Sequence, residues 1–186
     1  LDGPMNFAIF MDARAVAGEA ALLNEARDYA SRILTGSDAF FSRFASAVDQ
    51  FSGNTGGWWS RLAALRGRDE PVFDLKKLGT FPIVHGVRAL ALEHRLGELG
   101  TVARLQKLAE RQAVSQDLVR DLVEALHFLM TLKLRNNLRQ LQLGQPVDNR
   151  VELSSLGSLD RDRLKDSLAI IKRFRQHLGL HFKLEA

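Results

Sequence analysis

Two short patterns can together support metal-dependent phosphoryl transfer. The chain carries the first of them and only one of the two acids of the second. A Gly-Ser turn holds phosphate oxygens with its backbone N–H groups, and two carboxylates two residues apart on a strand hold divalent metal ions. Gly36-Ser37 is followed by Asp49, but the position two residues later is Phe51. Apolar residues in this segment have a helical spacing, so side chains at i and i+2 point apart. We therefore interpret Ser37 as a helix N-cap and predict no catalytic residue in this chain.

Histidines and tryptophans are the other side chains that could bind a metal or stack on a base. His177 and His181 stand four residues apart, a spacing that can place two imidazoles over one metal ion. Gly179 between them indicates instead that a helix is ending, so we expect no metal site. The other histidines show no spacing that suggests a catalytic triad: His85, His94 and His127. Trp58-Trp59 could stack on a base, although a plug between helices is the commoner role.

The composition is that of a globular protein from a reducing compartment. Hydrophobic residues make up 46% and charged residues 26% of 186 residues, and there is no cysteine for disulfides or thiolate chemistry. No run reaches the roughly 18–20 apolar residues that a membrane-spanning helix needs. We expect a cytoplasmic protein that has no contact with a membrane.

Positive charge is concentrated near the C-terminus. Residues 133–175 hold ten Lys/Arg and five Asp/Glu, whereas the rest of the chain holds sixteen and seventeen. Such a surface attracts phosphates, nucleic acid or an acidic protein, and it is also what a solvated helix face looks like. No helix-turn-helix or RNA-binding signature is present, so the sequence does not favour a nucleic-acid partner.

Apolar residues at helical spacing predict an all-α fold, a bundle of long antiparallel helices. Ser115 is expected to cap the longest helix, with Leu122, Leu129, Met130 and Leu138 among its apolar positions. Phe174 is expected on the buried face of the last helix. The predicted helices are 19–34, a second one with an aromatic face from Phe40 to Phe51, 82–96, 101–111 (capped by Thr101), 116–143 and 158–178.

The N-terminus is the exception to the helical pattern. Met5 to Met11 is apolar, has two aromatics and no helix start signal, and so predicts a short strand. We assign residues 1–18 to a remnant of a neighbouring domain and residues 19–186 to the helical domain. An isolated strand must fold back, pair with a second copy or fray; our hypothesis is a two-fold homodimer through this strand, with the basic helices as the alternative interface.

An ordered series of motifs resembles a known helical domain. The motifs are Asp74-Leu75-Lys76-Lys77, Pro82-Ile83-Val84, Arg88-Ala89-Leu90-Ala91-Leu92, Thr101-Val102-Ala103-Arg104-Leu105, Leu129-Met130-Thr131-Leu132-Lys133-Leu134-Arg135, Asp148-Asn149 and Leu159-Asp160-Arg161-Asp162-Arg163-Leu164-Lys165-Asp166. The series is similar to the C-terminal substrate-binding domain of bacterial signal-transduction nucleotidyltransferases. In those proteins it follows a catalytic domain similar to PII-uridylyltransferase, often with CBS or cyclic-nucleotide-binding modules upstream.

The resemblance implies a role and a set of site residues. The domain would form one wall of the nucleotidyl-transfer cleft, with Mg²⁺ and a nucleoside triphosphate bound by the full-length protein and no cofactor in this chain. Its partners would be the upstream nucleotidyltransferase and regulatory domains in cis, together with an acceptor. The chain has Lys133 and Asn137 where the family usually has Arg and Gln. The implied substrate-binding residues are Asp74, Lys76, Arg88, Arg104, Lys133, Arg135, Asn149 and Arg161.

Two hypotheses of different classes stay open. The first is the accessory substrate-binding domain described above. The second is a non-catalytic interaction or dimerisation module that docks a partner through its basic helices. For Asp74, Lys76, Arg88 and Arg104, an ion-pair network between segments is as good a reading as a cleft lining.

We predict that the purified chain transfers no nucleotidyl group to any acceptor. The physical reason is that its sequence offers no paired carboxylates on a strand for metal-assisted phosphoryl transfer. The measurement is incorporation of labelled nucleotide, and an activity that disappears on Asp49→Ala would contradict the prediction.

Overall fold

The computed structural model describes residues 2–34, 38–49 and 72–184, and within these ranges the chain is an all-α bundle with one small ribbon. The predicted fold class is therefore confirmed. Two three-residue strands, β1 (Val72–Asp74) and β2 (Arg150–Glu152), pair antiparallel. The helices are α1 (Asp2–Met11), α2 (Ala20–Leu34), α3 (Asp38–Ala45), α4 (Phe81–Glu93), α5 (Thr101–Glu110), α6 (Gln116–Gln142) and α7 (Ser158–His181).

The segment predicted as an N-terminal strand is helical, so that prediction is wrong. An apolar run without alternation fits a buried helix as well as a strand, and its periodicity cannot separate the two. Pro4 falls in the first turn of α1, where a backbone N–H has no helical partner to lose. With no strand in this segment, the strand-mediated homodimer loses its structural basis.

As a helix, α1 packs its aromatic face against the core. The ring of Phe7 lies edge-on to Phe40 and Phe44, with centroids 5.5 and 6.1 Å away, and Ala8 is fully buried. A strand would have pointed Phe7 and Ala8 to opposite faces, whereas in the helix both side chains pack towards the core. The assignment of residues 1–18 to a neighbouring domain stays a prediction.

The two longest helices, α6 and α7, form the antiparallel pair that the sequence predicted. Arg135 near the end of α6 pairs with Asp160 at the start of α7, and Asp121 near the start of α6 pairs with Arg173 near the end of α7. Ser115 caps α6 as expected, since its Oγ accepts a hydrogen bond from the Leu118 N–H at 3.3 Å.

Helix α4 crosses the bundle centre and approaches α7 closely. A Cβ on Gly86 would lie 2.5 Å from Leu178 Cδ1 and 2.7 Å from Phe174 Cε1, so only glycine permits this contact without rearrangement. Next to it, the buried imidazole of His85 lies beside Phe44, and its Nε2 is 2.7 Å from the Phe44 carbonyl oxygen. Burial lowers the pKa of His85, and the charge of Arg88 lowers it further, so the neutral ring donates here.

The ribbon and several helix boundaries differ from the sequence predictions: α4 ends at Glu93 rather than near Leu96, and α3 ends at Ala45 within the helix predicted to reach Phe51. An extended piece was predicted at Phe73, but its partner β2 was not, because three residues carry no readable period. The N-cap of α5 is Gly100 rather than Thr101, which is the first helical residue. Helix α7 continues three residues past Leu178, through Gly179, because its packing against the core outweighs the propensity of one glycine.

Two apolar positions of α6 do not face the core. Leu122 and Leu129 are fully buried, but Met130 and Leu138 are about half exposed. Their helical spacing made them indistinguishable from the buried set in the sequence. No helix of the described ranges is long and apolar enough to cross a membrane.

We expect Leu122→Ala and Phe174→Ala each to lower the free energy of unfolding by roughly 2–5 kcal/mol, because both side chains are fully buried and leave a cavity. Leu159→Ala is the matched control, since this α7 residue is largely exposed and should change stability by under about 0.5 kcal/mol. Denaturant unfolding measures all three. Losses as small as that of the control at both buried positions would show that the helix faces are assigned incorrectly.

Candidate functional site

Asp12, the residue directly after α1, accepts hydrogen bonds from two arginines on different helices. Arg88 of α4 donates from Nε to Oδ2 at 3.1 Å and also from Nη2, and Arg104 of α5 donates from Nη2 to Oδ1 at 2.7 Å. Arg104 also donates from Nε to the Glu98 carbonyl oxygen at 2.6 Å. We call Asp12, Arg88 and Arg104 the Asp12 cluster. It joins the end of α1 to α4 and α5.

The Asp12 cluster is largely shielded from solvent and carries an excess positive charge. The side chain of Arg104 is 5% exposed, that of Arg88 15% and that of Asp12 30%. Partial burial by itself raises the pKa of Asp12, but the hydrogen bonds and charges of Arg88 and Arg104 outweigh it and hold the pKa below its usual value. One carboxylate against two guanidinium groups leaves one positive charge uncompensated.

The backbone that flanks Asp12 positions α2. Arg27 of α2 donates from Nη2 to the carbonyl oxygen of Met11 at 3.3 Å and to that of Ala13. Its Nε is buried and finds no acceptor in the described part of the chain. Most other side chains of α2 are exposed, including Leu22, Tyr29 and Ile33. The contacts of Arg27 with the Asp12 segment therefore set where α2 lies.

A cleft of about 840 Å³ lies between α2 and the C-terminal end of α4. Its size is within the range of small-molecule sites. We call it the arginine cleft because Arg27, Arg32 and Arg95 line it against one acid, Asp28. Guanidinium groups bind phosphate and carboxylate oxygens in bidentate fashion, so a concave surface with this balance suits an anion. The full lining is Met11, Asn24, Arg27, Asp28, Ser31, Arg32, Leu92, Arg95, Leu96 and Gly97.

Arg95 occupies a backbone conformation that normally selects glycine. Its φ is +51°, and the chain closes α4 with hydrogen bonds from the Leu96 N–H to the Ala91 oxygen at 2.8 Å and from the Arg95 N–H to the Leu92 oxygen at 3.0 Å. This is the Schellman end of a helix, where a side chain costs about 1 kcal/mol relative to glycine. Gln112 and Lys183 close α5 and α7 with a similar positive φ, so this conformation places the Arg95 side chain beside the cleft but does not by itself mark a functional residue.

The eight predicted site residues divide into two groups. Arg88 and Arg104 meet at Asp12, which the sequence reasoning did not select. The other six lie around the ribbon and the adjoining ends of α6 and α7, and no hydrogen bond or ion pair among the described residues links the two groups. They are Asp74, Lys76, Lys133, Arg135, Asn149 and Arg161.

The second group has mainly local contacts. Asp74 Oδ1 accepts from the backbone N–H groups of Lys76 and Lys77 at 3.0 and 2.8 Å, so it caps the π-helical turns Leu75–Thr80. The Asn149 carbonyl accepts from the Leu75 N–H at 2.9 Å, and Arg135 pairs with Asp160. Asp74 therefore caps its own segment, and within the described residues it is not seen to form the ion pair with α4 that was one interpretation of the sequence.

The other patterns from the sequence have structural partners or lie outside the described residues. Asp49 pairs with Arg175 at 2.6 Å. His181 Nε2 is 2.6 Å from Glu93 Oε2, and burial together with the charge of His181 lowers the pKa of His177. The described ranges contain no group of three or more His, Asp or Glu side chains that could hold a metal ion. Gly36-Ser37, Phe51 and Trp58-Trp59 lie outside the described residues.

Arg27, Arg32 and Arg95 were missed along with Asp12. Arg27 and Arg32 are five residues apart on an amphipathic helix, which is typical of solvated charges, and Arg95 lies near the end of the helix predicted over 82–96, outside any motif. The one usable signal was the resemblance, which marked Arg88 and Arg104 and so pointed to the neighbourhood of the cleft.

A comparison with protein families decides what kind of domain this is. The family model described as "Putative nucleotidyltransferase substrate binding domain" matches residues 38–182. The chain belongs to this family. The match covers α3 to α7, so Arg88, Arg95 and Arg104 fall inside it, whereas Asp12 and α2 precede it. Comparisons with curated proteins and with solved structures gave no match.

We expect Asp12→Asn to lower the free energy of unfolding at pH 7 by about 1–2 kcal/mol, a figure reduced for the partial exposure of the carboxylate. The folded-state pKa of Asp12 lies below its unfolded value of about 3.9. Its contribution is therefore complete above about pH 4 and is lost as the pH falls through the folded-state pKa.

Urea unfolding of wild type and variant at pH 7 and about pH 3 tests this pH dependence. The difference between the two proteins should shrink at the lower pH. Asp162→Asn is the control, because its ion pair with Lys165 is exposed and should contribute under about 0.5 kcal/mol. An equal difference at both pH values would contradict the assigned role of Asp12.

Proposed function

We propose that this substrate-binding domain serves a signalling nucleotidyltransferase that resembles PII-uridylyltransferase, and that the arginine cleft receives the phosphate-bearing part of its substrate. The parent protein would carry the catalytic carboxylates in a separate domain, with regulatory modules such as CBS domains in cis. The helical domain would form the wall of the nucleotidyl-transfer cleft opposite the catalytic domain.

The arginine cleft carries this proposal. Three guanidinium groups line it against one carboxylate, and the neighbouring Asp12 cluster adds a further positive charge. A triphosphate has several negative charges and many acceptor oxygens, which matches forked N–H donors better than a single ammonium would.

Magnesium is expected with the nucleoside triphosphate in the full-length protein. The described residues of this chain do not fit such a metal, because they bring together no set of three acidic or imidazole ligands. We propose that metal binding belongs to the parent's catalytic domain and that this chain binds and orients an anionic group.

A second candidate, the interaction module, is favoured by a different observation. Helix α6 carries an exposed row of apolar side chains on the side turned away from the bundle. The row does not exclude the substrate-binding function, because a domain that binds substrate can also dock a partner.

We expect the purified chain to bind ATP or UTP saturably in isothermal titration at low salt. Arg32→Ala should weaken binding at least about tenfold, since a lost charge-assisted hydrogen bond is worth about 1.5–3 kcal/mol. Arg95→Gly should weaken binding similarly while leaving thermal stability unchanged or higher, because glycine suits the positive φ. This pair of results separates loss of a ligand contact from loss of fold.

Arg43→Ala is the charge-matched control, since Arg43 is an exposed arginine of α3 outside the cleft lining. Inorganic pyrophosphate serves as a second probe and distinguishes recognition of phosphate alone from recognition of the whole nucleotide. If Arg32→Ala and Arg95→Gly behave like Arg43→Ala, or if none of the three anions binds, the proposed site is wrong. The finer resemblance to PII-uridylyltransferase is tested by whether the parent protein transfers labelled UMP rather than AMP.

A further inference from the structure

His85, in the first half of α4, lies between two phenylalanine rings. Its side chain is fully buried, and its ring centroid is 4.6 Å from that of Phe44 on α3 and 5.2 Å from that of Phe81 at the start of α4, with interplanar angles of 30° and 10°. Its Nε2 also donates to the Phe44 carbonyl oxygen at 2.7 Å. His85 and Phe44 therefore join α4 to α3 by a stack and a hydrogen bond, and we call this pair the His85 latch.

The other ring nitrogen of His85 has no partner. Nδ1 is buried and finds no hydrogen-bond partner in the part of the chain that the structure describes. Because Nε2 carries the proton that the Phe44 oxygen accepts, Nδ1 is the unprotonated nitrogen of the neutral ring. Protonation would add a buried N–H without an acceptor and a buried positive charge without a counterion. The latch therefore suits only the neutral imidazole.

The charges around the His85 latch also oppose protonation. Burial has the largest effect on the pKa of His85 and lowers it, the hydrogen bond to Phe44 acts in the opposite direction, and the positive charge of Arg88 one turn further along α4 lowers the pKa again. No carboxylate shifts this pKa among the described residues. The other charged or titratable groups on α3, on the following turn and on the part of α7 nearest Gly86 are Asp38, Arg43, Asp49, Arg175 and His177.

We infer that the His85 latch is an acid-sensitive switch, which holds α3 on α4 while the imidazole is neutral and releases α3 when the imidazole is protonated. The ring of Phe44 also lies edge-on to Phe7 of α1, with centroids 6.1 Å apart. Release of α3 therefore loosens the seat of α1, the helix that leads into Asp12. The switch is a property of the fold and does not require that the arginine cleft binds a nucleotide.

The pH range of the switch follows from proton linkage. A histidine of the unfolded chain titrates near pH 6.5, whereas His85 in the folded chain stays neutral to a lower pH. Below about pH 6.5 the unfolded chain therefore binds more protons than the folded chain, and acid favours unfolding. One group of this kind lowers the folding equilibrium constant by at most about tenfold between pH 7.5 and pH 5.5.

The test variant is His85→Gln, because the glutamine amide can donate to the Phe44 carbonyl oxygen and does not titrate. Urea unfolding at pH 7.5 and pH 5.5 gives the folding equilibrium constant of each protein. Between these pH values the wild type should lose at least about threefold more than the variant. His127→Gln is the matched control, because His127 is exposed on α6, and it should keep the wild-type pH dependence. His177 is present in all three proteins, so its contribution cancels.

Amide hydrogen exchange locates the release. At pH 5.5, the backbone amides of α3 should be less protected in the wild type than in His85→Gln, whereas those of α6 should be equally protected in both proteins. Comparison of the two proteins at one pH removes the dependence of the intrinsic exchange rate on pH.

A measurement on the wild type alone covers the case in which His85→Gln does not fold. In an NMR titration of isotope-labelled histidine rings, the ring of His85, identified by its contacts with Phe44 and Phe81, should titrate below pH 6.5. Any of three results would overturn the inference. They are a midpoint for His85 at or above pH 6.5, the same pH dependence of stability in wild type and His85→Gln, and equal protection of α3 in these two proteins at pH 5.5.

Discussion

The arrangement of the candidate site depends on one carboxylate. Asp12 is held by Arg88 of α4 and Arg104 of α5, and so fixes the segment that leaves α1 against the two helices beside it. The carbonyl groups on either side of Asp12, those of Met11 and Ala13, accept from Arg27 and thereby place α2. Since α2 is one wall of the arginine cleft, the cleft exists because the Asp12 cluster holds.

The same cluster also sets the electrostatics of the site. A buried guanidinium without a counterion would be costly, and Asp12 compensates one of the two. The remaining charge adds to those of Arg27, Arg32 and Arg95 around the cleft. The lowered pKa of Asp12 keeps its carboxylate ionised throughout the physiological range, so the compensation does not vary with pH there. The structure thus combines an anchor in which Asp12 compensates one of two arginines with a cleft lined mainly by positive charge.

The helices were predictable where sequence and packing agree. The cap at Ser115 and the apolar rhythm through Leu122 and Leu129 placed α6 within one residue of its observed end. The same rule failed at residues 5–11, because an apolar run without alternation suits a helix or a strand, and only contact with Phe40 and Phe44 decides. Met130 and Leu138 share the rhythm of the core positions, yet they face outwards because no neighbouring helix covers that side within the described residues.

The site was predictable only in part. The resemblance marked Arg88 and Arg104, but their common partner Asp12 lies 76 and 92 residues earlier in the sequence. Pairing at that distance depends on how α1 packs, and α1 had been predicted as a strand. Arg95 was missed for another reason. A helix end of this type is normally recognised in a sequence by its glycine, and here the position holds an arginine.

The affinity of Asp12→Asn for ATP tests the central claim most directly. Electrostatics alone predicts tighter binding, because the substitution removes a negative charge near the proposed anion site. If Asp12 instead acts by positioning α2, the variant should bind ATP at least several-fold more weakly than wild type, measured by titration at pH 7 and a temperature at which both proteins are folded. Equal or tighter binding would contradict the dependence of the arginine cleft on Asp12.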